Sequence, residues 1–206
     1  MKVKICGLHP VRDVQHCIDL RIDFLGFVFY EKSPRNLILE DVHKLKSYKK
    51  QNSFFTAVTV DPTNEFIKNI VLKNFDCIQL HGSETNERVN EIKLTGLKVI
   101  KAIKINEQSD IENYKKYENA DLILFDTPGM EKSIEFPANL VSKLPKGERY
   151  GLAGSINEDN VENFIKLGVN FFDLSSSLES KLGQKDHLKI KRFMNKINKF
   201  NEHGKN

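Results

Sequence analysis

In this chain a set of residues able to do chemistry stands where short apolar runs give way to polar ones. Cys6 closes the run Lys2–Cys6, Gln79 and His81 close Cys77–Leu80, and Asp126 closes Leu122–Asp126. Gly154 and Ser155 follow Tyr150–Ala153. Ser175, Ser176 and Ser177 follow Phe171–Leu174, and Arg35 lies beyond Phe24–Phe29. Thiol, carboxyl and imidazole groups transfer protons, and a guanidinium offers a planar fork of donors to an anion. Each residue also has a plainer use. A free cysteine commonly packs in a core, an aspartate beside Thr-Pro-Gly caps a turn, and a lone arginine is usually solvated. His81 reads equally well as a buried structural histidine.

The bulk numbers narrow the chemistry. At 206 residues there is room for one domain with a full core. With 39% hydrophobic and 29% charged residues the composition is that of a soluble globular chain. No apolar run approaches the roughly 18 residues of a membrane span. The start, MKVKICGL, lacks a signal peptide's apolar segment and cleavage site, so a cytoplasmic location is expected. The formal charge of +4 is modest and suits a small anionic substrate. The basic cluster Lys185, Lys189, Lys191, Arg192, Lys196 and Lys199 carries no interleaved aromatics, so it reads as the solvated face of a last helix rather than a nucleic-acid surface. Three cysteines, Cys6, Cys17 and Cys77, are odd in number and have no metal-ligand spacing. At least one thiol is therefore free.

Strand-like runs recur along the whole chain: Lys2–Cys6, Phe24–Phe29, Phe54–Val60, Cys77–Leu80, Lys98–Ile103, Leu122–Asp126, Tyr150–Ala153 and Phe171–Leu174. Between them lie stretches with apolar residues at three- and four-residue spacing: Val11–Leu20, Leu39–Tyr48, Asn64–Asn74, Asn86–Leu94, Ile111–Tyr117, Glu158–Leu167 and Asp186–Phe200. Alternating β and α units predict an α/β fold with a parallel sheet. Repeated eight times, they predict a single-domain (βα)8 TIM barrel over residues 1–200, with 201–206 as a loose tail. An open doubly wound sheet is the alternative. In a closed barrel, chemistry sits where strands end, and the residues named above then form one rim.

Those strand ends carry an ordered set of motifs. KICGL (Lys4–Leu8), GFVFYEKSPR (Gly26–Arg35), QLHG (Gln79–Gly82), FDT (Phe125–Thr127), LAGS (Leu152–Ser155), DLSSSLE (Asp173–Glu179) and GQKD (Gly183–Asp186) together resemble the phosphoribosylanthranilate isomerases of tryptophan biosynthesis. The resemblance implies an Amadori rearrangement of N-(5-phosphoribosyl)anthranilate. An acid protonates the furanose oxygen, a base removes the proton on the neighbouring carbon, and the two anionic ends are held. It implies Cys6 as the base and Asp126 as the acid. A thiol is a base only as thiolate, so its pKa must fall or be overcome by positioning; Lys4, two residues back on the same strand face, is placed to help. Asp126 needs an apolar surround or a nearby anion to stay protonated. Further implied are Arg35 on the anthranilate carboxylate, Gln79 and His81 as substrate-orienting residues, and a phosphate cradle of Gly154, Ser155, Ser175, Ser176 and Ser177. Neither cofactor nor metal is implied, and the partner is a small phosphosugar, with no nucleic acid or membrane and a monomer or homodimer.

The chain departs from the family in two places. Ser155 and Ser177 stand where glycines are usual; serine keeps the N–H but loses easy access to positive φ. The loop after Asp126, Thr127–Phe136, is shortened. Two other functions remain: another phosphosugar isomerase on the same barrel, such as the histidine-pathway ProFAR isomerase, which has an aspartate in place of Cys6, or a barrel that binds phosphosugars with weak or no turnover.

Overall fold

Successive residues of a strand face opposite sides, and these runs are apolar on both, so each strand must be covered twice. A closed barrel inside a ring of helices does this. The computed structural model describes residues 1–127 and 138–203. Its strands are β1 (Lys2–Cys6), β2 (Phe24–Phe29), β3 (Phe54–Thr59), β4 (Cys77–Leu80), β5 (Lys98–Lys104), β6 (Leu122–Asp126), β7 (Tyr150–Ala153) and β8 (Phe171–Leu174). All neighbours are parallel, and β8 pairs back onto β1 with Lys4 opposite Asp173. That last pairing excludes the open sheet.

The helical stretches form close to where the periodicity puts them. Thr63 and Thr85 cap the helices at Asn64 and Asn86, each accepting a backbone N–H with its side chain. Asn157 Oδ1 accepts from the N–H groups of Asp159 and Asn160 ahead of Val161–Lys166. Leu39–Ser47 is a 3-10 helix, and a wider π turn, Ile67–Val71, interrupts Asn64–Asn74. The last helix runs from His187 to His203, three residues into the stretch expected as a tail; 204–206 lie outside the described residues. Among the described residues no helix is long and apolar enough to cross a membrane.

Two features have no counterpart among the stretches named from the periodicity: the short helix Ala138–Val141 and a hairpin. Glu179–Lys181 (β9) and Gln184–Lys185 (β10) form an antiparallel hairpin after β8. It corrects the reading of Lys185 as solvent-facing. Lys185 is buried in the hairpin and paired with Glu179, whereas Lys191, Arg192 and Lys199 are exposed on the helix.

The strand alternation aims the rim. Leu122 and Leu124 fill the barrel while Ile123 and Phe125 pack outward, so Asp126 continues the inward row. Cys77 faces in, and so by period do Gln79 and His81; Phe171 faces in, and so do Asp173 and Ser175.

Candidate active site

At the bottom of the barrel mouth a cation is buried outright. Lys4 is 0% exposed, with Nζ 2.8 Å from Asp173 Oδ2. Burial pulls its pKa down, but Asp173 and Cys6 outweigh it, and Lys4 stays above its ordinary value, charged. One strand step above is Cys6. Burial pushes its thiol up, and Lys4 and Lys185 pull it only partly back. The fall expected for a thiolate base is thus not built in; the thiol instead lies beside two cations, Lys4 and Lys185. Burial pushes the Cys17 thiol far up and that of Cys77 to about 12, and both are fully buried. Cys6 is the thiol at the rim.

Gly7, with φ +76°, turns the chain sharply after Cys6, and a Cβ there would lie 2.5 Å from Arg35 Cδ. Only glycine lets the arginine stem lie against the end of β1. Arg35 is not a free donor awaiting an anion. Its Nε and Nη2 hold the two oxygens of Glu179 at 2.6 and 2.8 Å, and Lys185 joins the same carboxylate at 2.9 Å. Burial pushes the Glu179 carboxyl up, yet the Arg35 and Lys185 hydrogen bonds reverse that and hold it at about 2. The cluster carries two cations and one anion, and Nη1 of Arg35 lies outside the bidentate pair. Glu179 and Lys185 escaped the sequence reading although both lie in its motifs. The spacing Glu179-x5-Lys185 flanking Gly183 was the available signal.

Across the mouth, His81 Nε2 lies 3.0 Å from Asp126 Oδ2. Burial pushes the Asp173 carboxyl above its ordinary value, and the Lys4 ammonium only partly offsets the rise. Gln79 is 1% exposed; among the described residues its Oε1 and the Oδ1 of Asp173 are buried acceptors without a hydrogen-bond partner. Such acceptors cost about 1–3 kcal/mol unless a donor reaches them.

The loops after β7 and β8 complete the rim. Gly154 has φ +90°, and a Cβ there would be 1.9 Å from Thr127 Oγ1. Ser155 follows at φ +46°, with its carbonyl held by Asn160 Nδ2 at 2.8 Å. Ser175 is committed elsewhere: its hydroxyl donates to the Cys6 carbonyl at 3.1 Å, and its own carbonyl accepts from Lys185. Ser176 is exposed and begins a short 3-10 turn that includes Ser177, whose φ is not positive. Of the shortened loop after Asp126, only Thr127 is among the described residues.

Ser155 therefore occupies a glycine conformation. The left-handed region costs a side chain about 1–2 kcal/mol, and glycine's extra chain entropy returns part of that. Ser155→Gly should raise the melting temperature by about 2–4 °C, whereas Ser177→Gly should not. A lower melting temperature in Ser155→Gly would show that the hydroxyl itself holds the loop.

The family model described as N-(5'-phosphoribosyl)anthranilate (PRA) isomerase matches residues 3–196. The N-(5'-phosphoribosyl)anthranilate isomerase of Sinorhizobium medicae is 39% identical over 197 residues, covering 90% of this chain and 91% of its own. That of Rhizobium meliloti is 36% identical over 208 residues, covering 95% and 96%. The crystal structure of the Thermotoga maritima phosphoribosyl anthranilate isomerase is similar with a TM-score of 0.85 at 29% identity, over 96% of this chain and 98% of that one. A phosphoribosyl anthranilate isomerase in complex with reduced 1-(o-carboxyphenylamino)-1-deoxyribulose 5-phosphate gives 0.82, also at 29% and over the same shares.

Proposed function

The chain belongs to the N-(5'-phosphoribosyl)anthranilate isomerase family, isomerases of tryptophan biosynthesis, and we propose that Asp126 and Cys6 carry out its isomerisation as acid and base. Asp126 gives its proton to the furanose ring oxygen, the bond from that oxygen to the anomeric carbon breaks, and the nitrogen lone pair forms the Schiff base. Cys6, as thiolate, takes the proton from the neighbouring carbon. The freed electron pair forms a carbon–carbon double bond as the iminium pair returns to nitrogen. The resulting enolamine becomes the aminoketone by proton shifts alone. Product and substrate are isomers, so the step needs no oxidant or reductant.

The observation that carries this reading is the placement of Cys6 and Asp126 on inward rows of one mouth, the first beside Lys4 and Lys185, the second against His81. His81 orients the acid. Gln79 Oε1 and Asp173 Oδ1 accept hydrogen bonds from the sugar hydroxyls, which supplies the donors they need. The backbone N–H groups of Gly154, Ser155, Ser176 and Ser177 hold the phosphate, with Ser175 fixing the second loop to β1. Arg35 offers its remaining edge to the anthranilate carboxylate while Glu179 keeps the fork oriented. We place the reaction in the cytoplasm.

Turnover of phosphoribosylanthranilate generated in situ tests the whole; no product would overturn it. The Arg35 role has its own comparison. Arg35→Met should lower kcat/KM by the equivalent of about 1.5–3 kcal/mol, the worth of a charged hydrogen bond. Glu179→Gln weakens the clamp but keeps the guanidinium, so its loss should be smaller and confined to KM. Equal losses in the two variants would mean that Arg35 acts through the clamp and not on substrate.

A further inference from the structure

On the outward side of β5 another lysine is buried. Ile100 and Ala102 fill the barrel, so Lys101 between them points under the helices, 2% exposed. Its Nζ is 2.8 Å from Glu84 Oε2, 2.8 Å from the Gly82 carbonyl and 3.4 Å from that of Leu80. Glu84, also buried, accepts from the N–H of Gly82 at 3.0 Å and of Asp61 at 2.9 Å. Asp61, at φ +46°, accepts from Ser83 N at 2.8 Å. The Tyr117 ring lies 5.3 Å from the ammonium. His81 N is held by the Thr59 carbonyl at 2.9 Å. Leu80 and Gly82 are the residues on either side of His81, so the contacts of this cluster converge on the backbone that carries its imidazole.

We propose that the Lys101–Glu84 ion pair is a positioning device for the reaction, clamping the Leu80–Ser83 segment so that His81 Nε2 stays within hydrogen-bond distance of Asp126. The inference rests on the reading of Asp126 as acid and His81 as its orienting partner. A buried ion pair is a poor source of stability, since apolar replacements of like volume are often neutral. What this pair supplies is directed bonds to the carbonyls of Leu80 and Gly82 and to the N–H of Gly82, with the N–H of Asp61 tying the loop after β3 to the same carboxylate, beside the one strand contact from Thr59 to His81. A 3.0 Å contact is lost when the loop shifts by a few tenths of an ångström beyond ordinary hydrogen-bond range, and misplacement at a distance is costly to catalysis.

The test is a double-mutant cycle on kcat, read with KM and thermal melts. The pair variant Lys101→Met/Glu84→Leu removes both charges, so neither is left buried alone. It should lower kcat by about fivefold to tenfold with KM nearly unchanged, matching His81→Asn. Added to His81→Asn, it should cost less than about a further twofold, because both act through one contact. Glu84→Gln keeps the shape and runs through the same cycle, deciding the matter should the pair variant not fold. Additive losses, or a wild-type kcat in the folded pair variant, would overturn the proposal while leaving His81 its role. A wild-type kcat in His81→Asn would overturn the reading of His81, and the proposal with it.

Discussion

Asp126→Asn should lower kcat by about 10²–10⁴, the range for loss of general acid–base catalysis. The amide keeps the shape of the carboxyl and its place at the end of β6, where the backbone carbonyl of Asp126 holds Ile105 N at 2.9 Å. It still meets His81, but it has no proton to give to a ring oxygen. The barrel should melt as the parent does, because the inward row beneath, Leu122 and Leu124, is untouched. Affinity for a reduced product analogue should stay within a few-fold, since the grips proposed for the anionic ends of the ligand lie elsewhere on the rim. A folded Asp126→Asn that turns over at the parent rate would move the acid to another residue, with Asp173 next in line by position.

Cys6→Ser should cause a loss of similar size, about 10²–10⁴ in kcat. The volume changes little, but an alcohol is a far weaker base than a thiolate. The direction of the Cys6 shift adds a test independent of turnover. Burial raises this thiol and Lys4 partly offsets the rise. Alkylation of the native protein by iodoacetamide therefore reports on Cys6, because Cys17 and Cys77 are 0% exposed. Its rate should climb with pH through the alkaline range, and kcat/KM should climb on the same limb. In Lys4→Met the curve should move to higher pH, since the ammonium that favours thiolate is gone. Lys4→Met also leaves Asp173 buried without its partner, so the native fold is checked first by melting. A folded Cys6→Ser with parent turnover would reduce Cys6 to core packing; an unmoved alkylation curve in Lys4→Met would remove Lys4 from the role of counter-ion.

How far the sequence alone determined this protein follows from the period of its strands. Eight apolar runs at near-regular intervals prescribed eight strands, and their observed ends lie within one residue: β3 stops at Thr59 and β5 reaches Lys104. Because side chains alternate, each run fixed which residues share a face, Lys4 with Cys6, Gln79 with His81 and Leu124 with Asp126; the runs are apolar on both faces, so only closure of the barrel decided which face points in. The place of Lys4 beside Cys6 was legible by the same period; the inward aim of Asp173 and its pairing with Lys4 were not.

Tertiary structure decided what those residues touch. Lys4 and Asp173 are 169 residues apart and meet only because β8 closes on β1. Arg35 lies in a loop, where no period fixes direction, and its pairing with Glu179 depends on a hairpin too short to show as alternation. Lys185 looked like a surface charge because composition cannot say that an acidic neighbour will be folded over it. Ser155 keeps a glycine's φ of +46° because Asn160 and the packed turn at Gly154 hold the loop. Local spacing sets what a strand presents; the cost of burying a charge without a partner sets which distant residues must come together.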